Sequence, residues 1–157
     1  KTEVALHDAK TGKVIWDIVA AEAGDQGRCM VADVYPNSPG CEFWKYGNEL
    51  FDQDGKPLMN SAGTARAEES SCNAGIRVDG YLNRQMIDGG IINSYSHGRT
   101  FTIYRYDISF NNSTKSNPGW YGDMLGDWRE EVILPDQTKL KNIKVFSTWY
   151  PTDHRLP

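Results

Sequence analysis

Two stretches of this chain gather side-chain oxygens at a repeated spacing. "ADVYPNSPGCEFW" carries Asp33, Asn37 and Glu42, and "GDMLGDWREEVIL" carries Asp123, Asp127 and Glu131. In each, an acid is followed four residues on by an acid or amide, and four or five residues later by a glutamate, around a glycine-bearing turn. Such a set suits a hard cation, because Ca²⁺ takes roughly six to eight oxygens from carboxylates, amides and turn carbonyls at about 2.3–2.6 Å. The loops are not EF-hands, which hold stricter spacing between two helices. The same acids could instead cap turns and pair with a neighbouring cation, as Asp127 or Glu130 would with Arg129.

A third aspartate falls into the same series. Asp33 follows "MVA", Asp79 follows "IRV" and Asp123 follows "WYG", at intervals of 46 and 44 residues. Asp79 therefore joins the candidate metal ligands. His7, His97 and His154 stand alone, with no paired spacing. Cys29, Cys41 and Cys72 contain no CxxC and fix neither a metal nor a compartment. Tyr46, Tyr104, Tyr121, Trp44, Trp120, Trp128 and Trp149 could stack on sugar rings or pack between sheets.

The elements that would position these groups are nearly all β. Runs at 14–18, 41–46, 75–78, 90–95, 100–106, 130–134 and 142–146 are rich in Val, Ile, Phe, Tyr and Trp and are bounded by Gly, Asp, Asn and Pro. Asp8 to Gly12, Asp54-Gly55, Asp88-Gly89 and Pro135 to Thr138 read as hairpin turns. "AAEAGDQG" at 20–27 is too short for a helix, and 60–72 reads as a polar loop. A repeat of about 45 residues with about four short strands per unit is the pattern of β-propeller blades. A β-sandwich has similar strands without requiring the repeat. The period divides residues 1–157 into an outer hairpin at 1–27, units at 28–72 and 73–117, and an incomplete unit at 118–157, about three to four blades.

Bulk properties exclude some classes. A net charge of −4 is not the basic footprint of a nucleic-acid-binding domain. No apolar run approaches the ~18 residues of a membrane span. The first residues lack the apolar core of a signal peptide and read as a cut inside a larger chain.

Five ordered stretches resemble the rhamnogalacturonan lyases of polysaccharide lyase family 11. They are "DAKTGKVIW" (8–16), "GDQGRCMVADVYPNSPGCEFW" (24–44), "SCNAGIRVDGYLNRQMIDGGII" (71–92), "NNSTKSNPGWYGDMLGDWREEVI" (111–133) and "PTDHRL" (151–156). The most specific piece is Gly126-Asp127-Trp128-Arg129-Glu130-Glu131-Val132. The resemblance implies an eight-bladed β-propeller, bound calcium ions and secretion by pectin-degrading bacteria, to the exterior or the periplasm. The implied partner is the pectic polysaccharide rhamnogalacturonan I, with no nucleic acid and no membrane.

The implied reaction is β-elimination between rhamnose and galacturonate. A base removes the C5 proton of galacturonate, the C4–O bond breaks, and a 4,5-unsaturated product forms. Calcium on the galacturonate carboxylate would stabilise the developing carbanion. In the family, an Asn-Gly-Thr-Lys motif contacts sugar, and it maps onto Asn112, Ser113, Thr114 and Lys115. Serine replaces glycine at Ser113, which bears on how closely backbone approaches the sugar. Asn111 and Asn112 also each open an N-x-[ST] sequon. Lys115 is the candidate base. A free lysine has a pKa near ~10.4, so acting near neutrality requires a shift of about three units, or roughly 4 kcal/mol. Calcium or Arg99 is the expected source of part of that shift.

The family's preceding His- and Asp-bearing blades and its closing blade have no counterpart in these residues. The expectation is a fragment whose open blade edges associate with the missing part or with another copy. Two other classes fit the residues. A non-catalytic, calcium-stabilised carbohydrate-binding module would bind pectic sugars without producing unsaturation. An integrin-like calcium propeller would carry Asp-x-Asp-x-Asp-Gly loops, which are absent from the sequence.

Overall fold

The computed structural model describes residues 2–19, 28–45, 50–58, 73–139 and 141–155. These residues form antiparallel sheets with no α-helix among them. The strands are β1 (Thr2–His7), β2 (Val14–Val19), β3 (Cys29–Ala32), β4 (Glu42–Lys45), β5 (Ala74–Ile76) and β6 (Gln85–Asp88). They continue with β7 (Ile91–Ser94), β8 (Gly98–Thr102), β9 (Trp120–Gly122), β10 (Glu131–Pro135) and β11 (Ile143–Phe146). Each sheet is built from strands adjacent in sequence: β1-β2, β3-β4, β5-β6-β7-β8 and β9-β10-β11. Bridges Phe43↔Phe51 and Phe51↔Pro57 extend the β3-β4 sheet. The expectations for 20–27 and for 60–72, with Tyr46 and Cys72, lie outside the described residues.

The turn chemistry explains the hairpins. Asp88 and Ile91 are ladder partners, leaving Gly89 (φ 54°) and Gly90 (φ 69°) as a two-residue loop. Both central residues of a type I′ turn need positive φ, which glycine adopts without a Cβ penalty. Asp8 holds the β1-β2 turn by accepting from the Thr11 amide at 2.7 Å and the Thr11 hydroxyl at 2.6 Å. Asp136 does the same beyond β10, accepting from the Thr138 and Lys139 amides at 2.8 and 3.0 Å.

The sheets pack face to face through two cores. Ala32, Val34, Trp44 and Leu50 meet Met86 in one. Ala74, Ile76, Ile87, Ile92, Ile103 and Ile108 meet Val132 and Leu134 in the other. Side chains alternate across a strand, so Met86 faces one core and Ile87 the other. That makes β6 a central strand buried on both faces. Each such side chain contributes roughly 1.5–3 kcal/mol when fully buried.

One expected strand is shorter than its sequence pattern. The run 100–106 is strand only to Thr102, and Ile103–Tyr106 forms a 3₁₀ turn ending at Asp107 (φ 47°). The amides of Ile103 and Tyr104 both donate to the Gly90 carbonyl, at 2.7 and 3.1 Å. Ile103 is fully buried, so core packing overrides the β-propensity of the aromatic run. Strands β1, β3, β6 and β9 were not among the expected runs.

Candidate functional site

The strands β3, β5 and β9 start at one end of the stacked sheets and finish at the other. Arg28, just before β3, is bonded to Asn73, just before β5, and Asn73 reaches the Lys115 carbonyl in the loop before β9. At the far ends, the Asp33 carbonyl and carboxylate accept from Arg84 and Asn83, both at 2.6 Å. Arg77 donates its amide to Glu130 at 2.7 Å, and Arg84 pairs with Glu130 at 3.1 Å.

The far end carries the acids singled out by spacing, and a repeated clamp holds its loops. Glu42 Oε2 accepts from the Val34 and Tyr35 amides, both at 2.9 Å. Glu131 Oε2 accepts from Met124 and Leu125 at 2.9 and 3.2 Å. Gln85 Oε1 accepts from Val78 and Asp79 at 2.8 and 3.3 Å. Each clamp is the first residue of a strand and is almost fully buried. It satisfies two consecutive amides of the loop behind it, which would otherwise be costly orphans.

The predicted ligands differ in what their oxygens already hold. Glu42 Oε1 is buried and has no hydrogen-bond partner. Burial pushes the Glu42 carboxyl above its usual range, against the two amide bonds and the nearby Ser38 hydroxyl, which falls short of a hydrogen bond to Oε1, and the charge of Asp33 adds to the upward push. Asn37 is exposed and donates to the Tyr35 hydroxyl at 3.4 Å. Asp79 is buried, accepts from the Tyr81 amide at 2.9 Å, and is pushed up by burial while His97 opposes the shift. Asp123 takes three loop amides, from Gly126 at 2.6 Å, Asp127 at 3.1 Å and Trp128 at 2.9 Å. Asp127 pairs with Arg129, whose hydrogen bonds hold its carboxyl below the usual range.

As a cation site, the first set fits better than the second. The orphaned Glu42 oxygen beside the charge of Asp33 lacks a positive partner. In the second set, three amides cap Asp123, and the Arg129 guanidinium on Asp127 repels a cation. Among the described residues, no three His, Cys, Asp or Glu side chains converge as a metal cage.

The near end carries the Lys115 loop. Asn112 Oδ1 accepts from the Thr114 amide at 3.0 Å, the Thr114 hydroxyl at 2.8 Å and the Lys115 amide at 3.1 Å. Asn112 and Asn117 form a bridge, and the left-handed residue of the turn is Ser116 (φ 53°). Ser113 is not in the left-handed region, so serine there carries no backbone strain. Ser113, Thr114 and Lys115 all stand exposed. Under this loop Asn73 donates to Asp88 Oδ1 at 2.7 Å, to the Lys115 carbonyl at 2.8 Å and to the Ser116 carbonyl at 3.4 Å. Its own carbonyl oxygen accepts from Arg28, which also pairs with Asp88 at 3.4 Å.

The family model of rhamnogalacturonan lyase family 11, C-terminal domain, matches residues 1–157. The chain belongs to that family. It is 33% identical over 159 residues to rhamnogalacturonan endolyase YesW of Bacillus subtilis (strain 168), covering 99% of this chain and 24% of that protein. It is 31% identical over 170 residues to the exolyase YesX of the same strain, covering 96% of this chain and 26% of that protein. The solved Bacillus licheniformis rhamnogalacturonan lyase PL11 superposes with a TM-score of 0.82 at 34% identity, over 97% of this chain and 25% of that chain. The chain thus spans about a quarter of the length of these relatives.

Within this family 11 chain, the expected Asn112–Lys115 group lies at one end and the expected acids at the other. Arg99, expected beside Lys115, is not there. It lies in β8 opposite Asn93 and lines a cleft of about 630 Å³ at the acid end with Asp79, Tyr81, His97 and His154. Arg28 stands at the Lys115 end instead, bonded to the Asn73 side chain that holds the Lys115 carbonyl; sequence reasoning missed it together with Asn73 and Asp88. A signal was present: Arg28 and Asn73 are 45 residues apart, one repeat, and each immediately precedes the first strand of its unit.

Proposed function

We propose that this chain forms part of the substrate-contacting rim of a rhamnogalacturonan I lyase, which cleaves by β-elimination at galacturonate. The observation that carries the reading is the convergence of Arg28, Asn73 and the 112–116 loop, from the segments ahead of β3, β5 and β9, at one end of the sheets. Arg28 supplies positive charge suited to a galacturonate carboxylate. Asn112, through its side-chain amide, with Ser113 and Thr114, contacts sugar hydroxyls. Lys115 is the group that takes the C5 proton, and its exposure gives it access to a polymer lying across the rim.

The fold is read as part of a β-propeller, three sheets each led by β3, β5 or β9 running the same way. Calcium is assigned to the Asp33–Glu42 pair, and the Asp123–Asp127–Glu131 loop to capping by its own amides. When bound, calcium neutralises two neighbouring carboxylates. Its role there is structural: Arg28 and Asp33 are five residues apart along β3, about 16 Å, against metal–oxygen distances of about 2.3–2.6 Å. Secretion accompanies the reading, because a polymeric substrate must be met outside the cell.

The test is turnover by the full natural protein, followed as ultraviolet absorbance of the unsaturated product. Lys115→Ala should lower kcat by about 10²–10⁴-fold, the usual contribution of a general base. Undiminished turnover in that variant overturns the assignment of Lys115.

A further inference from the structure

We infer that Asn73 is a positioning residue for the elimination, acting through the backbone of Lys115 and through Arg28; this rests on the proposed function of that rim. The Asn73 amide nitrogen donates to Asp88 at the end of β6 and to the carbonyls of Lys115 and Ser116. Its oxygen accepts from Arg28 ahead of β3. One side chain therefore ties together the segments ahead of β3, β5 and β9 at the end where the exposed Lys115 stands.

An amide is required here by the hydrogen-bond inventory. The position needs an acceptor for a guanidinium and a donor for one carboxylate and two carbonyls, and only Asn or Gln supplies both in a planar group. Aspartate keeps the Arg28 bond but turns a carboxylate toward Asp88 and toward the Lys115 carbonyl. The loop has its own Asn112 turn, so it keeps its shape without Asn73. What it loses is its attachment to the strands behind it. Asn73 thus sets where Lys115 sits rather than whether the loop forms. Displacement of a reacting group by about 1 Å is worth up to about 10²-fold in rate.

The exchange Asn73→Asp with Asp88→Asn isolates this tether. It restores an amide–carboxylate pair and retains an acceptor for Arg28, but residue 73 can no longer donate to the Lys115 carbonyl. In the full natural protein, the double exchange should keep its melting temperature while kcat on rhamnogalacturonan I falls about ten- to a hundredfold, with a smaller change in KM. Asn73→Ala should lose as much, and adding Lys115→Ala should cost no more than Lys115→Ala alone, since both changes act on one group. Full activity of the double exchange, or additive losses in the Asn73→Ala, Lys115→Ala pair, overturns the positioning role and leaves Lys115 assigned. Wild-type turnover by Lys115→Ala alone overturns the proposed function, and the inference with it. If Asn73→Ala does not fold, the double exchange decides the question by itself.

Discussion

Glu42→Gln separates a cation site from a loop clamp. Glu42 is wholly buried, one oxygen holds two amides at 2.9 Å, and the other has no partner. Gln85 occupies the same place one repeat later and holds its two amides with an amide oxygen. The clamp should therefore survive the substitution. Removing an unpartnered buried carboxylate oxygen gains about 1–3 kcal/mol, and burying an amide NH₂ in its place costs a similar amount. Without calcium the net change should lie within about 1 kcal/mol.

With calcium the two proteins should diverge. At one hundred times its Kd, a ligand bound only by the folded state stabilises it by about 2.7 kcal/mol. At about 2–4 °C per kcal/mol, that is about 5–10 °C of melting temperature in a domain of this size. Thermal scans of wild type and Glu42→Gln, each with calcium and with chelator, measure the difference. Equal calcium responses would refute the assignment of a cation to Glu42. The acid limb gives a second check. Burial raises the folded-state pKa of Glu42, so its contribution to calcium-free stability is fully present below the ordinary carboxylate range. It is lost as pH rises through the folded value. Glu42→Gln should flatten that decline.

Asp123→Ala should destabilise the fold by about 2 kcal/mol in urea melts, since three loop amides lose their acceptor, and the loss should persist in chelator. Gly90→Ala should cost more than about 2 kcal/mol by the same assay. Its φ is 69°, and an added Cβ would lie 2.8 Å from the Phe110 ring and 3.1 Å from the Tyr104 Cβ. Ser113→Gly should change stability by less than about 1 kcal/mol, because the backbone there is not left-handed. Residues 1–157 alone, about a quarter of the length of their relatives, should show no turnover of rhamnogalacturonan I; a rate near that of a full-length relative would show that this stretch suffices.

What could be read in the sequence was what is local in it. The strands with β-branched runs, such as Val132-Ile133-Leu134 in β10, were legible because propensity and burial agree there. Strand β6 was not, because burial on both faces erases alternation, and its ends, Gln85 and Asp88, are polar groups serving loops. The acids at the far end were legible as a repeated spacing, since each Asp and its clamp lie within nine residues. The Asp127–Arg129 pair was legible as the alternative to a cation site, but spacing alone could not choose between the two, nor say that Asn37 turns to Tyr35. The knot at the near end left little trace. Its bonds cross 45 and 42 residues and end partly on a neutral amide and backbone carbonyls, which no composition count detects.

The clamp has a consequence for how such a chain diversifies. Glutamate at 42 and 131 and glutamine at 85 perform the same mechanical task with the same two amides. A negative charge at this buried point is thus separable from the shape it supports. A single-base codon change between GAA and CAA, or between GAG and CAG, turns the charge on or off without remodelling the loop. Units that share this clamp can differ electrically while staying interchangeable mechanically.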